Sequence, residues 1–157
     1  MKKRLIPILI LILMVIGCDN IMNTPTAKVE NFFGKYQKMD KEVLQDLDYI
    51  LEKEENMSNK TKKEYKELLK KQYQNLSYKI TSEITNNNHS TVTAEIQVLD
   101  YKSAISKTKD IKNKIKEMKK TTAMIKYQIQ FSLTKKDGIW VLEELREEDR
   151  LKIHGLY

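Results

Sequence analysis

The hydrophobic and polar positions of the chain change period several times, and each change marks a predicted element. From Thr24 to Leu76 apolar residues recur every three or four positions, the spacing of amphipathic helices. Three helices are predicted: one follows Thr24-Pro25, one is capped by Asp40, and one opens at Ser58 or Asn59. Their predicted inward positions are Val29, Phe32, Phe33 and Tyr36, then Val43, Leu44, Leu47, Ile50 and Leu51, then Tyr65, Leu68, Leu69 and Gln72 to Leu76.

At Ser77 the period changes to two, which is typical of strands with one apolar face. The apolar positions of a first predicted hairpin are Tyr78, Ile80, Ser82 and Ile84, followed by Val92, Ala94, Ile96 and Val98. A second hairpin has strict alternation from Ile125 to Leu133 and an Asp137-Gly138 turn signal. A two-residue loop would set Leu142 opposite Leu133 with Trp140 inward, the preferred register, whereas a longer bulged loop would favour Val141.

Between the hairpins the helical period returns from Tyr101 to about Thr121, with Asp100 as its N-cap. The predicted stripe of this helix is Tyr101, Ile105, Thr108, Ile111, Ile115 and Met118. A final short helix, Glu147 to His154, is stopped by Gly155. Because one-sided strands must be covered and the amphipathic helices supply the cover, the predicted fold class is α+β, with helices on one face of an antiparallel sheet.

The first eighteen residues predict the location of the protein. Lys2, Lys3 and Arg4 precede an apolar run, Leu5 to Ile16, that only Pro7 interrupts. Since a membrane-spanning helix needs roughly 20 apolar residues, this run indicates a secretory signal, with an uncleaved anchor as the alternative.

The sequence Val15-Ile16-Gly17-Cys18 resembles the lipobox of bacterial lipoproteins, with Val where Leu is commonest. The resemblance implies cleavage between Gly17 and Cys18 and a diacylglyceryl group on the Cys18 sulfur, whose two acyl chains are the number that stable anchoring takes. We therefore expect a lipid-anchored protein on the outer face of the cytoplasmic membrane, and a buried or reactive thiol is the alternative. The predicted divisions are a signal over 1–17, a lipidated cysteine and tether over 18–23, and one domain over 24–157.

Charge and cysteine content narrow the class of protein that the chain can belong to. The chain has 29 basic and 22 acidic residues, and loss of Lys2, Lys3 and Arg4 with the signal lowers the formal charge from +7 to +4. This excess is too small to indicate nucleic-acid binding. Cys18 is the one cysteine, so an intramolecular disulfide is excluded.

The order helices, hairpin, inserted helix, hairpin, ending in Lys136-Asp137-Gly138-Ile139-Trp140-Val141-Leu142, resembles the nuclear transport factor two-like (cystatin-like) fold. It is similar in particular to small lipoproteins of unknown function from low-GC Gram-positive bacteria. The resemblance covers Thr24 to Tyr157 and implies a curved four-stranded sheet wrapped around a helix as a cone. The fold occurs in both isomerases and non-catalytic binding domains, so the fold alone does not predict which function this chain has.

Candidate chemistry is sparse. Only His89 and His154 could join a metal site, and we expect both to be solvent-exposed or local caps, with no metal and no cofactor. A nucleophile with a base would need a serine or cysteine beside a histidine, and the anchor takes Cys18. No catalytic residue is assigned, because Asp100 is better explained as a cap. The residues that could line a small-molecule pocket, with core packing as the commoner use, are Tyr36, Tyr78, Tyr127, Phe131 and Trp140.

The inserted helix is rich in lysine. Its candidate contacts to a polyanion, either anionic lipid or a cell-wall polymer, are Lys109, Lys112, Lys114, Lys116, Lys119 and Lys120. A solvated face is the simpler interpretation. The predicted function is a non-enzymatic binding module at the cell surface with an unknown protein partner, and the alternative is a small-molecule binder or enzyme that uses the cone interior.

Overall fold

The computed structural model describes residues 22–53 and 57–157. The signal, Cys18 and most of the tether lie outside these residues. The elements are α1 Pro25–Lys38, α2 Lys41–Glu52, α3 Asn59–Asn75, β1 Ser77–Asn86, β2 His89–Leu99, α4 Tyr101–Ile105, α5 Ile111–Lys120, β3 Met124–Lys136, β4 Ile139–Leu142 and α6 Glu147–Ile153. The described chain is thus an α+β domain, as predicted.

The four strands form one antiparallel sheet in the order β1-β2-β3-β4. At its last turn, Asp137 and Gly138 have φ angles of 50° and 82°. Two positive φ angles in a two-residue loop suit the right-handed twist of a hairpin. Leu142 therefore pairs with Leu133, Trp140 is buried, and the preferred register is confirmed.

A bulge in β1 changes which residues face the core. Ile80 pairs with Ala94 but Ser82 pairs with Thr93, so Thr81 is an extra residue. Since side chains alternate along a strand, one extra residue moves the following ones to the opposite face. The prediction that Ser82 and Ile84 face inward with Ile80 is therefore wrong, and both are exposed.

Glu83 takes the inward position that the bulge creates, opposite Val92. Its Oε2 accepts hydrogen bonds from the backbone N–H and the hydroxyl of Thr26, at 3.1 and 2.7 Å. A carboxylate at this position also complements the positive end of α1. The bulge thus ties the first helix to the sheet.

The predicted caps of the first three helices are confirmed. The side chains of Thr24, Asp40 and Ser58 each accept a hydrogen bond from a backbone N–H in the first turn. Their predicted apolar stripes are buried or half-buried, except that Gln74 and Asn75 face solvent. Phe33 of α1 stacks on Tyr78 with ring centroids 4.3 Å apart and meets Phe131 edge-on at 5.4 Å.

The segment predicted as one lysine-rich helix forms two helices. Asp100 caps α4 through Ser103 N–H, as predicted, but the helix ends at Ile105. Asp110 then caps α5 by accepting from Asn113 N–H at 3.1 Å. An aspartate that bonds the backbone three residues ahead starts a new helix instead of continuing an old one.

The end of α6 packs against the end of the sheet through buried polar groups. The Gln72 amide donates to the carbonyls of Leu99 and His154, at 2.8 and 3.2 Å, and accepts from Leu99 N–H at 2.9 Å. His154 is fully buried, with one ring nitrogen 2.6 Å from the Tyr73 hydroxyl. The prediction of solvent exposure is wrong for His154, while its prediction as a local cap is confirmed because it ends α6.

Gly155 should be the least tolerant glycine of the described chain. Its φ is +68°, and an added Cβ would lie 2.0 Å from the Leu99 carbonyl oxygen. We expect Gly155→Ala to lower the free energy of unfolding by about 2–4 kcal/mol, because left-handed strain and a backbone clash add. Urea unfolding followed by circular dichroism measures this change.

Gly34→Ala is the matched control, since Gly34 lies inside α1 with nothing within 4 Å of an added Cβ. Alanine there should raise stability by up to about 1 kcal/mol through helix propensity. Similar effects of the two substitutions would contradict the packing of Gly155 against β2.

Candidate functional site

The structure gathers most of the predicted lysines around one surface groove between α5 and the start of α3. We call this the lysine groove. Its volume is 530 Å³, and it is lined by Ser58, Lys60, Thr61, Glu64, Lys112, Ile115, Lys116, Lys119 and Lys120. Four of the six predicted lysines therefore meet at one site.

Helical spacing explains which lysines meet. Lys112, Lys116 and Lys119 are four and three residues apart and so share one face of α5. Lys114 lies two residues from each neighbour and lines a different cavity, while Lys109 precedes the helix. Ile115 is buried beside α3 and fixes the distance between the two helices.

Lys60 is a groove residue that sequence reasoning missed. It comes from the first turn of α3, more than fifty residues before α5 in the chain. The available signal was a second run of lysines, Lys60, Lys62 and Lys63, at the start of that helix. No spacing rule in the sequence relates this run to α5.

The groove is strongly positive because few of its lysines have an acidic partner. Lys119 pairs with Glu64 at 3.2 Å and Lys120 pairs with Glu117 at 3.0 Å. Lys60, Lys112 and Lys116 have no ion pair within the part of the chain that the structure describes. Exposed ion pairs contribute at most about 1 kcal/mol, so an incoming anion could displace the two that exist.

A second cavity, which we call the helix pocket, has a volume of 260 Å³. It lies among the helices and is lined by Tyr49, Ile50, Lys53, Tyr65, Lys102, Ile105, Lys114, Glu147, Arg150, Leu151 and Leu156. Lys53 pairs with Glu147 and lies 4.6 Å from the centre of the Tyr49 ring. Four cations and one carboxylate thus surround an apolar floor.

The five residues predicted as pocket lining have separate roles. Tyr36 and Phe131 are core residues, and Tyr36 also borders a surface cavity of 340 Å³ with Val43 and Leu142. Burial raises the pKa of Tyr78, which stacks on Phe33.

Tyr127 donates a hydrogen bond to the Tyr157 carbonyl oxygen at 3.2 Å, and burial raises its pKa, with Asp100 adding to the effect. Trp140 is buried, with the Lys135 ammonium 5.6 Å from its ring centre. The sheet face beneath α1 is thus filled by ring contacts, including Phe32 on Phe131 at 5.3 Å.

The buried charge of the C-terminal region lies within α6 and is paired there. Asp149 is fully buried and pairs with Arg146 and Lys152, at 2.8 and 2.9 Å.

Across residues 22–53 and 57–157, no three His, Cys, Asp or Glu side chains converge as a metal site would require. Within the same residues no helix has both the length and the apolar character needed to cross a bilayer. The chain matches no protein-family model and has no match among curated proteins.

Tyr101 fixes the segment that carries lysines of both cavities. Its hydroxyl donates to the Leu68 carbonyl oxygen at 3.2 Å, and burial raises the pKa of Tyr101 to about 12. Because the phenol loses its proton less readily in the folded state, its contribution to stability is complete below pH 10. That contribution is lost as pH rises from 10 through 12.

We therefore expect Tyr101→Phe to lose less stability than the original protein between pH 10 and pH 12. Near pH 7 the same change should cost about 1 kcal/mol, through the lost hydrogen bond. Urea unfolding at stepped pH measures both effects. Parallel loss of stability in the two proteins above pH 10 would contradict a buried phenol at position 101.

Proposed function

We propose that the protein is a lipid-anchored binding module on the outer face of the cytoplasmic membrane, and that its lysine groove binds an anionic cell-wall polymer. The observation that carries the proposal is the groove itself, in which five lysines from two helices surround one carboxylate. Regularly repeated phosphates or carboxylates along a polymer suit a row of ammonium groups. Such binding is electrostatic and weakens as salt is added.

The anchor follows from the lipobox resemblance at Cys18. Asn23 is five positions after Cys18, so the tether reaches at most about 18 Å. Two acyl chains would hold the domain at the membrane, and the domain must work close to it.

The positions of tether and groove favour a polymer over membrane lipid. Asn23 is bound to the β3–β4 turn, where its Nδ2 donates to the Gly138 carbonyl at 2.9 Å. Lys120 lies only four residues before Met124, which begins β3, so it is at most about 15 Å from the other end of that strand. β3 has 13 residues, about 40 Å of length.

The groove and the membrane tether therefore belong to opposite ends of the domain. Lipid headgroups attract exposed charges over a Debye length of about 8 Å at physiological salt. A domain that stands on its tether holds the groove beyond that range and turns it towards the wall. Anionic lipid remains the alternative partner, for a domain that lies flat.

The architecture is proposed to be nuclear transport factor two-like, with helices against one face of a curved sheet. Support comes from the meander order of the strands and the bulge at Thr81, since bulges bend a sheet. Burial on β2 alternates strictly, with inward Val92, Ala94, Ile96 and Val98 fully buried.

A binding role is proposed instead of catalysis. The buried titratable residues Asp149 and His154 are held by ion pairs and hydrogen bonds within the C-terminal region. Isomerases of the proposed fold place their catalytic groups inside the cone, whereas ring contacts fill the sheet face beneath α1 in this chain. A specific observation favours one second candidate: the helix pocket, with an apolar floor beneath Lys102, Lys114 and Arg150, fits a small amphipathic anion.

Cys18→Ala should move the protein out of the membrane fraction as a released form, or leave it as an unprocessed precursor. This result is expected because the Cys18 sulfur is the atom that carries the lipid. Fractionation with immunoblotting, together with the mass of the mature N-terminus, measures the outcome. Normal processing with unchanged membrane retention would reject the anchor.

Four changes test the groove: Lys60→Gln, Lys112→Gln, Lys116→Gln and Lys120→Gln in one full-length protein. Binding of the detergent-solubilised protein to polyphosphate at low salt should weaken about tenfold or more, since each lysine near an anionic surface contributes about 1 kcal/mol. The salt dependence of binding should also become shallower, because fewer counterions are released. Fluorescence titration at several salt concentrations measures both.

A charge-matched control changes four exposed lysines that lie outside the groove, Lys38, Lys41, Lys79 and Lys136, to glutamine. It should retain most of the affinity. Equal losses of affinity for polyphosphate in the two variants would show that the groove is only a solvated face. Tight binding to phosphatidylglycerol vesicles without binding to polyphosphate would favour the lipid alternative.

A further inference from the structure

We infer that the domain touches the bilayer through a small apolar patch at the β3–β4 turn, made of Ile139 and Val141. This inference rests on the proposed anchoring at Cys18. Among the described residues these two belong to a short set of large apolar side chains that are exposed, at 54% and 42%. We call them the contact patch.

One asparagine attaches the tether to the turn that carries the contact patch. Asn23 Oδ1 accepts a hydrogen bond from Trp140 N–H at 3.0 Å, while its Nδ2 donates to Gly138. Both polar atoms of the side chain are thus attached to the turn, one on each side of Ile139. Asn23, the last residue of the tether, is thus fixed beside the hairpin, while Met22 lines a cavity along α1 with Thr26 and Ala27.

The hairpin supplies both side chains of the patch. Trp140 points to the core, and alternation therefore places Ile139 and Val141 together on the outer face of β4. β4 is an edge strand of only four residues. Exposed β-branched residues on an edge strand invite association, so a covering surface would remove an unfavourable exposure.

The length of the tether determines which surface covers the patch. The acyl chains on Cys18 lie in the bilayer, and Asn23 is five residues away, within about 18 Å. A patch beside Asn23 is therefore close to the lipid along the chain. Lys136, the register partner of Ile139, adds a positive charge that suits anionic headgroups.

The occupant is therefore a lipid surface containing anionic headgroups. Side chains of this kind enter the boundary between headgroups and acyl chains, about 5–10 Å deep. A second copy of the chain that pairs along β4 is the competing occupant. The two are distinguishable because only lipid contact exposes the patch to quenchers carried on acyl chains.

The test uses Val141→Cys in the full-length lipoprotein, reconstituted into vesicles that contain phosphatidylglycerol. Cys18 is blocked by its lipid, so an environment-sensitive fluorophore labels the introduced thiol alone. Met124→Cys is the matched control, because Met124 is equally exposed at 42% but begins β3 at the opposite end of the sheet. Ile139→Cys provides an independent second site within the patch.

The labels at Val141→Cys and Ile139→Cys should shift to shorter emission wavelength and lose most of their fluorescence with spin-labelled lipid, while the Met124→Cys label should change little. Unquenched patch labels, or equal quenching at both ends of β3, would overturn the inference. Disulfide-linked dimers of Val141→Cys without lipid quenching would assign the patch to a second copy instead. Flotation with the vesicles reports the anchor separately, so protein that fails to float contradicts the proposed function, and protein that floats unquenched contradicts the patch alone.

Discussion

One buried amide holds the helical part of the domain to the sheet. Gln72, at the end of α3, satisfies both the N–H and the carbonyl of Leu99, where β2 ends, and also the carbonyl of His154. An unpaired polar group at such a depth costs about 1–3 kcal/mol, so the three partners are fixed relative to one another. The space is so close that Gly155 admits no side chain. Because α4 begins directly after this point, the positions of the lysine groove and the helix pocket depend on it.

Much of this fold was predictable because local chemistry and tertiary packing agree. Asp137-Gly138 favoured a two-residue turn, and that turn places Trp140 inward. Thr81 shows where the pattern was insufficient, because a run such as Tyr78, Ile80, Ser82 and Ile84 alternates whether or not one residue bulges. The bulge is set by Glu83, which reaches a helix start nearly sixty residues earlier, and the period of a strand does not contain that contact.

The candidate site was predictable in its charge but not in its boundaries. The lysines of α5 could be recognised as a cluster, yet Asp110 had two possible roles, as a surface residue of a long helix or as the cap of a new one. Its role as a cap changes the direction of α5 and separates Lys109 from the groove. Lys60 joins the groove through packing between α3 and α5. His154 was expected to be solvent-exposed or a local cap; it ends α6 as a cap, but it is buried because Tyr73 offers it a partner there.

Under the proposed anchoring at Cys18, the two ends of β3 relate the position of the anchor to that of the groove. A lipid anchor alone would leave the domain free to tumble within reach of its tether, and the groove would meet lipid as often as polymer. Attachment of Asn23 to the β3–β4 turn limits that freedom, because the proposed tether then joins the domain beside that turn. The same strand carries the basic helix at its far end. The strand is about 40 Å long. Because Asn23 is bound at one end and the basic helix lies at the other, the positive charge faces away from the proposed anchor.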